Sequence, residues 1–194
     1  MTGTDSRAHR DRWEDEAALR DLSVAYAAAA DARDGERFAG LFAVDGALVV
    51  PSYPEDLRPV ITRAGTESLR LVPEGLGRFE LTFHEVTNSS FTIGDERASG
   101  QVQCTAHHLS ATGAAGASGG GPAWTDTVWF IRYHDEYVRV ATGWKFARRV
   151  LHLQWVEEHA VERVGPPSAG PGDAGPDPEA PQAPGTGTGG GGPT

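Results

Sequence analysis

Two histidines, His84 and His108, lie on neighbouring segments that have the composition of β-strands. The segment from Phe83 to Leu109 contains two runs rich in β-branched and aromatic residues, separated by a turn at Gly94-Asp95-Glu96. A hairpin of this length brings both imidazoles toward the same end of the strand pair. Because an imidazole changes charge near neutral pH, the two side chains are candidates for moving protons in a reaction.

One face of the second strand is small and apolar until it reaches His108. Side chains alternate between the two faces of a strand, so every second residue shares the face of His108. These residues are Ala98, Gly100, Val102, Cys104 and Ala106. A narrow apolar wall that ends in an ionisable group is typical of a small-molecule pocket. We therefore predict that Val102 and Cys104 contact a ligand.

The composition indicates an acidic globular protein of one domain. The chain has 194 residues, of which 39% are hydrophobic and 23% charged, with a formal net charge of −10. An acidic surface repels nucleic acid and anionic membrane, so neither is predicted as a partner. Cys104 is the single cysteine, which fits a reducing compartment. The sequence shows no apolar run that could span a bilayer and no hydrophobic signal core, and we expect a cytoplasmic location.

Helices are predicted first along the chain and strands afterwards. An apolar stripe at Leu19, Leu22, Tyr26 and Ala29 predicts a helix from Trp13. The other predicted elements are a helix over 36–42, a strand over 47–50, a loop over 51–63, a helix over 65–76, and strands over 124–140 and 144–155 after the hairpin. This order predicts an α+β fold, with the N-terminal helices packed on a strongly curved antiparallel sheet to form a cone with a pocket inside.

Three segments are expected to lie outside the regular elements. Residues 1–12 are polar and residues 165–194 are dominated by glycine and proline, so both are predicted to be disordered around a domain over 13–164. Ser110 to Pro122 is rich in glycine, alanine and serine and is predicted to form a flexible loop or a lid.

Several short patterns, in this order and at this spacing, resemble the SnoaL-like branch of the nuclear transport factor 2-like superfamily. They are YAAAAD (26–31), DGERFAGLFAVDG (34–46), His84 with Asn88, GDERASGQVQCTAHH (94–108) and YHDEYVRVATGWKFARR (133–149). The resemblance covers roughly residues 13 to 160. It implies a cone-shaped α+β barrel. Relatives include dehydratases, polyketide cyclases, ketosteroid isomerase and limonene epoxide hydrolase, and also non-catalytic binding modules.

The resemblance also implies roles for particular residues, and the dehydratases fit best. Asp31, His84 and His108 match the helix aspartate and the two pocket histidines of scytalone dehydratase. Tyr26 matches a tyrosine of bile acid 7-alpha-dehydratase. The arginine on the last strand corresponds to Arg149, with Arg148 as the alternative, and His107 is the alternative to His108. Tyr133 and Arg149 are candidate substrate-binding residues, and Gln103 departs from the pattern because many relatives have an aromatic residue there.

An aspartate and a histidine supply the acid–base chemistry that dehydration next to a carbonyl requires. The carboxylate fixes the tautomer of the imidazole and stabilises its protonated form. Tyr26 or His108 is then expected to donate a hydrogen bond to the carbonyl or the hydroxyl group of the substrate. Each residue also has a structural interpretation: Asp31 as a helix cap, His84 as an exposed strand residue, Tyr26 or His108 as core, and Arg149 as half of an ion pair.

These observations predict a cofactor-independent lyase (dehydratase) or isomerase that acts on a small hydrophobic cyclic compound with a carbonyl group, such as a polyketide or a steroid. The alternatives are a polyketide cyclase of the same fold and a non-catalytic module for ligand binding or subunit assembly. No metal is predicted, because the spacing of His84, Cys104 and His108 matches no compact ligand motif. A homodimer or homotrimer is expected from the resemblance alone.

Overall fold

The computed structural model describes residues 3–115 and 122–162 of the chain. The helices are α1 (Gly3–Asp31), α2 (Gly35–Ala39) and α3 (Thr66–Arg70), followed by a 3₁₀ turn at Pro73–Arg78. The strands are β1 (Phe42–Ser52), β2 (Asp56–Ala64), β3 (Leu81–Ile93), β4 (Arg97–Ala115), β5 (Pro122–Val140) and β6 (Gly143–Val161).

The strands form one curved sheet of six strands that does not close on itself. Their order is β2-β1-β6-β5-β4-β3, so β2 and β3 are the edges. The α+β class with N-terminal helices on a curved sheet is confirmed. The sheet is mixed rather than antiparallel, however, because β1 pairs with β6 in parallel while the other neighbours are antiparallel.

The core lies between α1 and the concave face of the sheet. The predicted stripe of α1 is buried at Leu19, Leu22, Tyr26 and Ala29. The predicted face of β4 is buried as well, at Ala98, Val102, Cys104, Ala106 and His108. The alternation expected for β4 is therefore correct, and the same alternation pairs Thr82 with His108 and His84 with Ala106 across the hairpin.

The segment between β1 and β3 differs most from the prediction. Residues 56–64 form β2, where a loop was expected. A loop was predicted because prolines occur at 51, 54 and 59. The strand forms nevertheless, since Pro59 lies on an edge strand opposite Pro51, at a register shift where a missing N–H is tolerated. The predicted helix over 65–76 is divided into α3 and the 3₁₀ turn, which begins at Pro73.

Several other boundaries differ. Helix α2 ends at Ala39, so the predicted helix over 36–42 is too long, and β1 begins at Phe42, so the strand predicted over 47–50 is too short. Helix α1 begins at Gly3, within the segment that was expected to be disordered. Strand β4 continues to Ala115 and β5 begins at Pro122, so both extend into the segment that was expected to be a loop or lid. Residues 116–121 and the predicted disordered tail after Glu162 lie outside the described residues.

A buried ion pair joins β5 and β6 beneath α1. The side chains of Arg149 and Asp135 are both fully buried. Arg149 Nε and Nη2 donate to the two carboxylate oxygens of Asp135 at 2.8 and 2.7 Å, and Nη2 also donates to Ser23 of α1 at 3.1 Å. The guanidinium carbon lies 4.4 Å from the ring centre of Tyr26 and 4.1 Å from that of Tyr133. The pair therefore joins three elements of the core.

Replacing Asp135 with alanine is expected to lower the free energy of unfolding by about 3–5 kcal/mol, because Arg149 would stay buried without its counter-charge. Urea denaturation followed by circular dichroism measures the change. The double variant Asp135→Ala/Arg149→Met is expected to recover much of this loss. Asp56→Ala is the control, since it removes an exposed pair with Arg58 (2.7 Å) and is expected to leave the midpoint near that of the wild type. Equal losses in Asp135→Ala and Asp56→Ala would contradict the argument.

Candidate active site

A cavity of about 530 Å³ lies between the helices and the concave face of the sheet. Its lining is mainly apolar and contains no aspartate or glutamate. The helices contribute Tyr26, Ala30 and Phe38, and the strands β3 to β6 contribute His84, His108, Trp129, Ile131, Tyr133 and Leu151. The β1–β2 hairpin, residues 71–72 and the 3₁₀ turn cover the other side. The volume is in the range that binds small organic ligands.

Asp31 and His84 form a hydrogen-bonded pair at the wall of this cavity. His84 Nδ1 lies 2.6 Å from Asp31 Oδ1, and the backbone N–H of His84 donates to Oδ2 at 2.9 Å. The hydroxyl of Thr82 also donates to Oδ1, at 2.8 Å. His84 lines the cavity, whereas Asp31 does not and lies behind the His84 ring. The orientation of the carboxylate is therefore set by three hydrogen bonds, and that of the His84 ring by its bond to Asp31.

The end of α1 determines where Asp31 lies. Asp34 N–H donates to Ala29 C=O at 3.0 Å and Arg33 N–H to Ala30 C=O at 3.1 Å, which is the hydrogen-bond pattern of a Schellman motif. Arg33 takes the left-handed position, with φ of 57°, that glycine often occupies at a helix end. Asp31 is thus the last helical residue, and it points toward β3 rather than capping the next turn.

Arg33 also ties this helix end to β3 through its side chain. Its Nη1 donates to the C=O groups of Ala30 and Asp31 and, at 2.6 Å, to the hydroxyl oxygen of Thr82. Thr82 in turn donates to Asp31. Neither Arg33 nor Thr82 was predicted from the sequence to be a supporting residue. The position of Thr82, two residues before His84 and therefore on the same strand face, is the signal that was available.

The carboxylate of Asp31 is ionised, as the partner of a general base must be. Burial raises the pKa of Asp31, but hydrogen bonds from the His84 ring and backbone and from Thr82 outweigh it, so the net pKa lies below the ordinary value. Asp31 is therefore ionised at neutral pH and accepts the Nδ1–H of His84. The other ring nitrogen, Nε2, is then left with a lone pair for a group in the cavity.

His108 has a different partner and a different capability. Its Nδ1 lies 3.0 Å from the C=O of Thr127, which can only accept, so Nδ1 carries the proton and Nε2 is an acceptor. Burial is the main cause that lowers the pKa of His108 to about 4, and the positive charge of Arg78 acts in the same direction. His108 is consequently neutral near pH 7. It can accept a hydrogen bond from a substrate hydroxyl, but the predicted role as a donor to a carbonyl does not fit this tautomer.

The choice between His107 and His108 is also clear from the geometry. His108 lines the cavity, and its ring lies 5.9 Å from that of His84 and 4.9 Å from that of Trp129. His107 points to the other face of β4, where its Nδ1 lies 2.6 Å from Asp126. His107 is thus a structural partner of β5.

Tyr26 and Tyr133 lie side by side in the cavity lining. Their ring centres are 5.7 Å apart in an edge-to-face arrangement. Burial is the largest influence on both hydroxyls and raises the pKa of Tyr26 to about 12, while that of Tyr133 is also raised. Both hydroxyls therefore keep their protons at neutral pH and can donate hydrogen bonds to an oxygen of a ligand.

Three residues predicted to bind substrate do not line the cavity. Val102 and Cys104 pack in the core beneath α1, because the apolar face of β4 is covered by the helix and only its His108 end opens into the cavity. Arg149 lies behind Tyr26 and Tyr133 in its ion pair with Asp135. Arg148, the alternative, is exposed and lines a separate surface depression with His134 and His152. Burial also raises the pKa of the Cys104 thiol to about 12, which argues against a nucleophilic role.

Within residues 3–115 and 122–162, no three histidine, cysteine, aspartate or glutamate side chains are grouped as metal ligands. No helix in this part of the chain is long and apolar enough to cross a membrane.

The comparisons with known proteins agree with this fold. Residues 11–150 match the model of the SnoaL-like domain, and the chain therefore belongs to the SnoaL-like family. Among curated proteins, none matches the chain.

Solved structures with a similar fold include three with low sequence identity. Hexachlorocyclohexane dehydrochlorinase LinA type 3 from Novosphingobium barchaimii superposes with a TM-score of 0.63 and 19% identity over 82% of this chain and 99% of its own. A proposed scytalone dehydratase from Novosphingobium aromaticivorans gives 0.60 and 22% over 86% and 99%. Rv3472 of Mycobacterium tuberculosis, a protein of unknown function, gives 0.59 and 20% over 79% and 77%. At these identities the likeness concerns the fold.

The stability of the protein is expected to fall as the pH is lowered from about 6.5 to about 4, in part because of His108. Its folded-state pKa lies below the ordinary value, so the unfolded chain binds more protons in this window. The contribution of His108 is at most roughly 3 kcal/mol. His108→Gln, which keeps a donor for Thr127 but does not titrate, is expected to show a shallower dependence of the free energy of unfolding on pH.

Urea denaturation at several pH values measures this slope. His159→Gln is the control, since His159 is exposed and is expected to keep the slope of the wild type. Identical slopes in wild type and His108→Gln would contradict the assignment of a neutral buried His108.

Proposed function

We propose that this protein is a cofactor-independent lyase or isomerase that removes a proton next to a carbonyl group of a small, mainly apolar, cyclic substrate. One observation carries the proposal: His84 faces an apolar cavity while an ionised carboxylate, Asp31, holds its other ring nitrogen at 2.6 Å. An imidazole that is oriented in this way can act as a general base in its unprotonated form.

The first step of the proposed reaction is the transfer of a proton from carbon to nitrogen. His84 Nε2 takes the proton on the carbon next to the carbonyl, and the C–H electron pair forms an enolate. The imidazolium that results is stabilised by the adjacent Asp31. Tyr26 and Tyr133 keep their hydroxyl protons and are the donors in the cavity wall that suit the developing enolate oxygen.

The second step decides between elimination and isomerisation. In a dehydration, the enolate electrons form the carbon–carbon double bond, the carbon–oxygen bond breaks, and protonated His84 returns its proton to the departing hydroxide, which leaves as water. In an isomerisation the same proton goes to another carbon. The acceptor Nε2 of His108 can orient a substrate hydroxyl, and this favours a hydroxy-carbonyl substrate and therefore dehydration.

The family gives independent support for this class of reaction. Two solved structures with the same fold are described as a dehydrochlorinase and as a proposed scytalone dehydratase, and both names denote eliminations. Loss of hydrogen chloride and loss of water both require the removal of a proton from carbon. A dehydratase acting on a polyketide- or steroid-like ring ketone remains our proposal for this chain.

His84→Gln is expected to reduce turnover by about 10²–10⁴-fold, because glutamine retains hydrogen-bonding capacity but cannot take a proton. Asp31→Asn is expected to reduce it as well, since it removes the charge that stabilises the imidazolium. The assay incubates the protein with a panel of β-hydroxy ketones and 3-keto steroids and follows the absorbance of newly conjugated products, whose mass separates loss of water from isomerisation.

His107→Gln is the matched control, because His107 also pairs with an aspartate but lies outside the cavity, and we expect wild-type turnover. Exchange of the proton next to the carbonyl with solvent deuterium would reveal the first step even where no product accumulates. Ligand binding that causes neither turnover nor deuterium exchange, and that is unchanged in Asp31→Asn, would favour the non-catalytic binding module.

A further inference from the structure

Arg63 and Arg78 distinguish this cavity from a purely apolar one. Arg63 projects from β2 on the same face as Ile61, and both line the cavity. Arg78 ends the 3₁₀ turn and lies with its guanidinium carbon 4.8 Å from the ring centre of Phe79. Both arginines are exposed, so they lie where the cavity meets solvent.

Neither arginine has a carboxylate partner among the described residues. Other described arginines, such as Arg97 and Arg148, also lack an ion pair, so Arg63 and Arg78 are set apart by their position in the cavity lining. The whole chain has 27 acidic and 17 basic residues, and yet the lining of the cavity contains two arginines and no acidic residue. Unpaired positive charge at the mouth of an apolar cavity, in a protein that is otherwise strongly acidic, favours an anionic ligand.

Arg78 is also placed near the candidate chemistry. The ring of Phe79, on which its guanidinium lies, is 4.7 Å from the ring of His108. Arg78 and His108 both line the cavity, so one ligand could place a hydroxyl at His108 and an anionic group at Arg78. Arg63, on the hairpin that covers the cavity, provides a second positive charge for the same ligand.

We propose that the ligand of this cavity is a ring compound that carries a carboxylate, which Arg63 and Arg78 bind at the mouth while the ring occupies the apolar interior. The inference rests on the proposed function, which identifies the part of the ligand that reacts near His84. It adds a recognition site for the opposite part of the ligand. A guanidinium binds a carboxylate through two parallel N–H donors, and the planar geometry of this pair gives specificity over a neutral group.

The test compares two ligands of nearly the same shape, 2-naphthoate and its neutral amide, 2-naphthamide. Isothermal titration calorimetry measures both affinities for the full chain. We expect 2-naphthoate to bind about tenfold more tightly, because charge-assisted hydrogen bonds are stronger than neutral ones. Added salt is expected to weaken the binding of the carboxylate and to leave the binding of the amide nearly unchanged.

Arg63→Gln and Arg78→Gln test the two arginines separately and together. The double variant is expected to bind both ligands equally, and each single variant to lose part of the preference. Arg58→Gln is the matched control, because Arg58 lies on the same strand as Arg63 but is paired with Asp56 and does not line the cavity. It is expected to keep the full preference.

The inference would be overturned if 2-naphthoate bound no more tightly than 2-naphthamide, or if neither bound. It would also be overturned if the double variant kept the preference for 2-naphthoate. Asp31→Asn separates this result from the proposed function. It is expected to keep the preference for the carboxylate while losing turnover. If the wild type prefers 2-naphthoate but has no activity, only the proposed function is contradicted. If it turns over neutral substrates but shows no preference for 2-naphthoate, only the recognition site is contradicted.

Discussion

The burial of one positive charge organises the interior of this protein. Arg149 has no exposed side-chain surface, and a guanidinium removed from water is costly unless its donors are matched. Asp135 on the neighbouring strand neutralises it, Ser23 connects it to α1, and the rings of Tyr26 and Tyr133 cover its face. Because the same two tyrosines line the cavity, the requirement to surround this charge also sets the position of two rings in the cavity wall.

The two cavity histidines show how a partner atom decides what an imidazole can do. His84 and His108 lie on adjacent strands with their rings 5.9 Å apart, and both are largely buried. The Nδ1 of His84 meets a carboxylate, which stabilises a positive ring, so a proton can be gained and returned. The Nδ1 of His108 meets the carbonyl of Thr127, which fixes the tautomer without offsetting a positive charge. One histidine is thereby suited to proton transfer and the other to accepting a hydrogen bond.

The parts of the fold that could be predicted are those that a local pattern determines. The alternation along β4 gave the buried face, and the turn at Gly94 gave the hairpin that brings His84 near His108. Asp31 was predicted only through the resemblance. No local pattern indicated its place at the end of α1, because the Schellman motif there has an arginine, Arg33, where glycine is usual. The roles of Val102 and Cys104 could not be predicted, since alternation identifies a face but not whether a helix or a cavity covers it. The mixed sheet was also beyond local patterns, because the parallel pairing of β1 with β6 joins segments far apart in the chain.

The segment that was hardest to predict is also the one that gives the cavity its charge. Strand β2 and the 3₁₀ turn contain prolines and short elements, so their conformation depends on packing against the rest of the domain rather than on periodicity. They form the cover of the cavity and contribute Arg63 and Arg78 to its lining. The sheet and α1 supply the Asp31–His84 pair, which three hydrogen bonds to the carboxylate hold in place. A cover built from an edge hairpin and short turns can vary without disturbing that pair, and it is therefore the part of the fold in which ligand preference is most readily set.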